Sequence, residues 1–194
     1  MGAFGATIPV TTLNNGFLGA ATRLGKRTIT ARQVCTTAQY ASATGPNFGD
    51  PCVIVATSGG GDTLWSVKDY IGHGGTFTAE LFAGTAYREV KTNLAYVALE
   101  TIGGAQIGNY APGSMAELME EGSTAVKVNV TTGIASQGPV YVRVSANGAN
   151  TIVGGFEAAS DTTYTVLLTG VVWRTGVVDA NGCAEITMLN RVAA

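Results

Sequence analysis

Charge is scarce in this chain: Asp, Glu, Lys and Arg together make up 12% of its 194 residues, about half the usual share of a soluble domain. The 11 basic and 13 acidic side chains leave a net charge of −2, and no face is obviously rich in Lys and Arg, which argues against nucleic acid as a partner. His73 is the one histidine, so a hydrolytic triad or an imidazole metal site has a single possible centre. Its neighbours are glycines and no GxSxG elbow occurs, so His73 is expected to be a loop or turn residue. The three cysteines, Cys35, Cys52 and Cys183, are odd in number and contain no CxxC, which excludes a disulfide framework and a zinc site by spacing. Buried free thiols in a reducing cytoplasm are the expectation. No apolar run is long enough to cross a bilayer, and Thr7, Pro9, Thr11 and Asn14 interrupt what would be a secretion signal. Met1-Gly2 opens like an acylation signal, but Ala6 stands where Ser or Thr is required. No membrane partner is expected. Gly59-Gly60-Gly61 and Gly103-Gly104 lack the Lys-Ser/Thr of a phosphate loop, so no cofactor is expected either.

What is abundant is glycine, 27 residues of it, together with Thr, Ala and Val in alternating runs. Ala125 to Val130 alternates apolar with polar, as a strand with one buried face does. Gly138 to Ser145 places Val140, Val142 and Val144 on one side and Tyr141 and Arg143 on the other. A β-branched run from Tyr164 to Val172 leads into Trp173, and the turn Asp179-Ala180-Asn181-Gly182 precedes the alternating Cys183 to Leu189. Upstream, Cys52 to Ala56 fits a buried strand, Thr63 to Val67 alternates, and Phe77 to Phe82 and Thr85 to Val90 continue the β texture. Tyr96 to Leu99 is too short to assign by period. From Glu121 to Arg191 the runs leave no room for crossover helices, which predicts three or four antiparallel strands there.

One helix is expected. Ser114 followed by Glu117 has the form of a capping box, residues 115–121 hold good helix formers, and Gly122 suits the terminating position. The predicted fold class is therefore mainly β: a single-domain antiparallel β-sandwich or jelly-roll-like fold, or a barrel, with one short helix at about 115–121. Residues 1–33 keep no period and are read as an extended N-terminal arm, or as a first strand with a loop, before a body over 34–194. The charge is uneven, since Arg23, Lys26, Arg27 and Arg32 face only Asp50 in the first fifty residues, which suits docking on an acidic neighbour.

Two carboxylate pairs bear on chemistry. Glu157 with Asp161, and Asp179 with Glu185, have the residue types a glycosidase uses. Asp179 is better explained by its turn, and Glu157 and Asp161 are expected to be solvated beside a small-residue loop. Trp65, Tyr70, Tyr87, Tyr110 and Trp173 suit sugar stacking, an interface or a core equally.

Phe82-Ala83-Gly84-Thr85-Ala86-Tyr87-Arg88-Glu89-Val90, Ile107-Gly108-Asn109-Tyr110-Ala111-Pro112-Gly113, Gly138 to Val144 and Gly154-Gly155-Phe156-Glu157-Ala158 together carry a resemblance over roughly residues 45–192. In their order and spacing they resemble the structural cement, or capsid decoration, proteins of tailed bacteriophages. The resemblance implies a β-rich, non-enzymatic subunit made in the host cytoplasm and bound on the outer surface of the virion. It implies as partners the major capsid protein, whose capsomers it braces, and the chain itself as a dimer or trimer. Candidate interface residues are Arg23, Lys26, Arg27 and Arg32 in the arm, with Trp65 and Trp173 as apolar anchors. A carbohydrate-binding head fibre or adhesion module is the alternative.

Overall fold

The computed structural model describes residues 18–23, 25–56, 61–88, 101–102, 105–106, 108–130, 132–148 and 150–189. Residues 1–17 of the expected arm, Gly59-Gly60, the run Tyr96 to Leu99 and Gly103-Gly104 lie outside the described residues. In chain order the elements are β1 (Thr28–Val34), β2 (Pro51–Ala56), β3 (Asp62–Ser66), helix α1 (Val67–Gly72), a 3₁₀ turn (Ala79–Leu81) and β4 (Phe82–Tyr87). A two-residue pair, β5 (Thr101–Ile102) with β6 (Ala105–Gln106), comes next. The second half holds β7 (Met115–Val130), β8 (Pro139–Arg143), β9 (Phe156–Glu157), β10 (Thr165–Trp173) and β11 (Cys183–Met188).

The mainly-β expectation holds, but the sheet closes on itself twice rather than forming two stacked layers. Its order is β1-β3-β2-β4-β7-β11-β10-β8-β9, with further pairings β1–β7 and β7–β9. The first half of β7 thus completes a five-stranded ring with β1, β3, β2 and β4, and its second half completes another with β11, β10, β8 and β9. Every pairing in the rings is antiparallel except β1–β3 and β7–β9. Parity explains these two exceptions. Directions cannot alternate all the way round an odd-numbered ring, so a closed ring of five needs at least one parallel pair, and each ring has one.

The shared strand is the stretch expected as a helix, and here the expectation is corrected. Residues Met115–Val130 form one 16-residue strand. Ser114 does not cap: its hydroxyl donates backwards to the Ala111 carbonyl at 2.6 Å. Helix propensities differ by under about 1 kcal/mol per residue, whereas β1 and β4 satisfy the backbone of 115–121 from both edges. Ala116 and Leu118 also point inward with Glu117 between them, a period of two. The helix present is α1, where the Ser66 hydroxyl accepts from the Asp69 amide at 3.0 Å.

Val34, Val53, Leu64 and Leu118 fill the first ring, and Val126, Val140, Val142, Phe156, Trp173 and Ile186 the second, all of them buried. Each such side chain contributes about 1.5–3 kcal/mol by leaving water. At Gly84 the backbone takes φ +146° and runs so close to the Met119 carbonyl that a Cβ would overlap it. A bulge between Cys52 and Val53 accompanies this approach of β4 to β7. Between the rings, α1 packs at Gly154, where a Cβ would meet the Lys68 amide at 3.2 Å, and the 3₁₀ turn packs on β10.

Candidate functional site

The basic stretch expected in the arm lies where the two rings meet. Leu18 is buried, and Gly19 donates to the Ala125 carbonyl at 2.8 Å while its own carbonyl accepts from Arg88 at 2.9 Å. Glycine is required there, since φ is +72° and a Cβ would stand 2.6 Å from the Ala86 oxygen. Thr22 then donates to Ser123 at 3.1 Å. In β7 the even residues bond towards β11, as Val128 does to Gly182, so Ser123 and Ala125 offer their groups on the opposite edge. β1 joins that same edge: Val34 bonds to the even-numbered Ser114, but a register shift between Thr28 and Ile29 passes over Glu120, so Thr28 pairs with the odd-numbered Glu121. Residues 22–28 form a strap between these contacts, with Arg27 lying against Gly122 of β7 and Arg23 reaching Glu185 of β11, and the last part of the expected arm, from Thr28 to Gln33, belongs to a strand of the first ring. The alternative of a first strand with a loop describes 18–34 better, because that segment finds its hydrogen-bond partners in the body.

The strap neutralises two of its own cations. Arg23 makes a bidentate pair with Glu185, Nε to Oε1 at 2.7 Å and Nη2 to Oε2 at 3.0 Å, and Thr22 donates to the same carboxylate at 2.6 Å. Glu185 is 4% exposed, so these donors stand in for the water it lost. Lys26 reaches Glu121 at 3.0 Å and holds that carboxyl below the usual carboxylate range. Arg32 is half-buried on β1, and its Nε is buried without a hydrogen-bond partner. Arg27 is exposed, and among the described residues it has no partner.

The two tryptophans lie in the core, which removes them as apolar anchors for a partner. Trp173 has no exposed surface, and Trp65 is 3% exposed, donating to Thr63 at 2.9 Å. Tyr40 stacks on Trp65 at 6.2 Å, and His73 tilts against both rings at 5.3 and 5.4 Å. His73 follows α1, its amide donating to the Asp69 carbonyl at 2.9 Å, so it is the turn residue expected. Burial of the tryptophans, with Tyr40 and His73 packed against Trp65, explains these residues without a ligand.

The carboxylate pairs also resolve into structure. Glu157 is buried rather than solvated, gripped by Arg143 at 2.5 and 2.9 Å, and Arg143 reaches Asp161 at 2.8 Å. The guanidinium, with help from Asn147, holds the Asp161 carboxyl below its ordinary range. Asp179 accepts from the amides of Asn181 and Cys183 at 2.9 Å, the turn role expected. Asp69, 2% exposed, accepts from Thr44 and Gly45 and ties the loop before β2 to α1. Among the described residues Asp50 has only Asn47 as donor, and burial pushes its carboxyl up to about 6. Among the described residues no group of His, Cys, Asp and Glu is placed to hold a metal. The cysteines are free and buried, as expected, and burial raises the thiols of Cys35 and Cys183 to about 11.

Beside the strap a cleft of about 200 Å³ opens where β7 passes from one ring to the other. Arg23, Lys26 and Arg27 stand along it, the buried Met119 and Met188 floor it, and Leu189 forms a lip, 62% exposed. Sequence patterning missed Glu185, Glu121 and Leu189 as members of this site. The available signal was Glu185 itself, a lone acid in the otherwise uncharged strand Cys183–Met188, which a buried position obliges to find a cation.

A family model described as structural cement protein (E217 gp24/Pam3 gp6) matches residues 5–190. The chain belongs to the structural cement protein family. This phage structural family covers almost the whole chain, including the strap, both rings and the cleft. Among solved structures, a chain from the capsid of Myoviridae phage XM1 is similar in fold, with a TM-score of 0.54 at 17% identity over 99% of this chain and 100% of that one. No curated protein matches the sequence significantly.

Proposed function

We propose that this structural cement protein binds the exterior of an assembled phage head, bridges capsomers of the major capsid protein and stabilises the shell without catalysing a reaction. The family match over residues 5–190 is the observation that carries this reading. The physics of the fold agrees with it. Among the described residues every strand of the nine-stranded sheet has at least two neighbours, so none of them presents a wholly unpaired edge for strand addition. Partners, whether capsid subunits or further copies in a dimer or trimer, would be met by side-chain surfaces and by the N-terminal segment. Binding to joined capsomers but not to separated ones stabilises the lattice by mass action, and many copies sum weak contributions. The buried acids serve internal ion pairs and turns, which supports a non-enzymatic role. The glycan reading loses its two tryptophans to the core.

The test is the copy number of the chain in purified virions together with the temperature at which heads lose DNA. Copies comparable with the major capsid protein, and a lower bursting temperature when the chain is removed, are expected. A handful of copies with no change in bursting temperature overturns the reading. The arm is tested by removing residues 1–17 rather than 1–33. The longer deletion also takes β1 and Arg23, opening the first ring and leaving Glu185 buried without its cation.

A further inference from the structure

Of the four arm cations, the structure leaves one unsatisfied at the edge of a cavity. Arg23 is held by Glu185 and Lys26 by Glu121, while Arg32 lies half-buried on β1, away from the cleft. Arg27 is exposed and unpaired among the described residues, and it lines the cleft. Opposite stands Leu189, with the thioether side chains of Met119 and Met188 below. Glu121 is the acid in the lining, and Lys26 already offsets it, so the cleft carries the net positive charge of Arg27. A cation over an apolar floor fits a complementary ligand: an extended segment presenting a carboxylate beside an apolar side chain.

We infer that the cleft is the docking site for an acidic, apolar-tipped segment of a neighbouring capsid chain. The carboxylate pairs with Arg27, and the adjacent side chain covers Leu189 and Met188. This rests on the head-binding reading above and narrows it from a basic arm to one cleft. The geometry suits a joint sensor, because the cleft is built from the strap, the midpoint of β7 and the end of β11, and so from both rings at once. The side chains that follow Leu189, Asn190 to Ala194, include Arg191 and no Asp or Glu, so by charge they do not complement Arg27 and a foreign segment does. The floor takes an apolar side chain because methionines adapt to varied shapes. The rim charge gives orientation and salt dependence rather than most of the affinity.

The experiment titrates the full purified chain onto heads that lack it and reads bound copies at two salt concentrations. Arg27→Glu and Leu189→Asp are compared with wild type and with Lys68→Glu, which makes the same charge change on α1, and circular dichroism shows that each variant folds. Arg27→Glu and Leu189→Asp are expected to weaken binding about tenfold or more, Arg27→Glu with a shallower salt dependence, while Lys68→Glu stays within about twofold. Unchanged binding by Arg27→Glu overturns the inference and leaves head binding standing. If Arg27→Glu instead alters the oligomeric state of the free chain, the occupant is a second copy, and if truncation after Leu189 strengthens binding, it is the chain's own tail; either result overturns the inference. Failure of the wild-type chain to bind heads removes this inference and the proposed function together.

Discussion

Replacing Arg143 with methionine removes the centre of the second ring's polar network. The guanidinium is fully buried and makes four hydrogen bonds: two to Glu157, one to Asp161 at 2.8 Å and one to the Ser145 carbonyl at 3.2 Å. Methionine fills a similar volume, so the packing loss is small and the electrical one dominates. Glu157, 3% exposed, keeps only a long contact from Asn129 at 3.4 Å. Taking one partner from a buried pair typically costs about 3–5 kcal/mol, because the remaining charge is stranded without water. For a chain of this size that lowers the melting temperature by roughly 6–20 °C. The assay is a four-protein cycle, wild type, Arg143→Met, Glu157→Leu and the double variant, unfolded in urea at neutral pH. The double variant is expected to be more stable than either single one, since it buries no unpaired charge. An Arg143→Met loss below about 1 kcal/mol, or a double variant as unstable as the two losses added, refutes the reasoning.

Three smaller predictions follow from the same physics. Asp50 has a folded pKa raised to about 6 from an ordinary 3.8, so its contribution to stability is present below about pH 4 and is lost as pH rises through 6. Measured as the pH dependence of urea unfolding, wild type is expected to lose up to about 3 kcal/mol relative to Asp50→Asn across that window, and parallel curves would contradict it. Gly84→Ala should destabilise by about 1–3 kcal/mol, through the positive φ and the overlap with the Met119 carbonyl, and an unchanged denaturation midpoint would show that β4 can shift away. Cys35, Cys52 and Cys183 are buried with raised pKa values, so a thiol reagent should label them only as fast as the protein unfolds. Rapid labelling of the native chain would place a thiol at the surface.

Most of the strands were legible because their cause is local. The alternation of Ala125 to Val130, Gly138 to Ser145 and Cys183 to Leu189 corresponds to strand in β7, β8 and β11, and the Asp179 turn forms through bonds within four residues. The candidate site was legible only in part. The basic stretch Arg23 to Arg32 was visible as an excess of charge, but which of its cations are engaged depends on carboxylates up to 162 residues away. The tryptophans were visible as large aromatics, and only packing shows that they face inward.

By itself the sequence determined a mainly-β chain with few charges, free thiols and a family signature, because periodicity, composition and turn chemistry act over a few residues. The tertiary structure alone decided the fate of 115–121, where pairing on both edges outweighed helix propensity and produced the strand shared by two rings. It also decided that each ring carries one parallel pair, that the strap lies against β7, and that Arg27 alone of the strap's cations is left over at the cleft. All of these depend on which distant segments meet, and contacts between distant segments leave no period in the sequence.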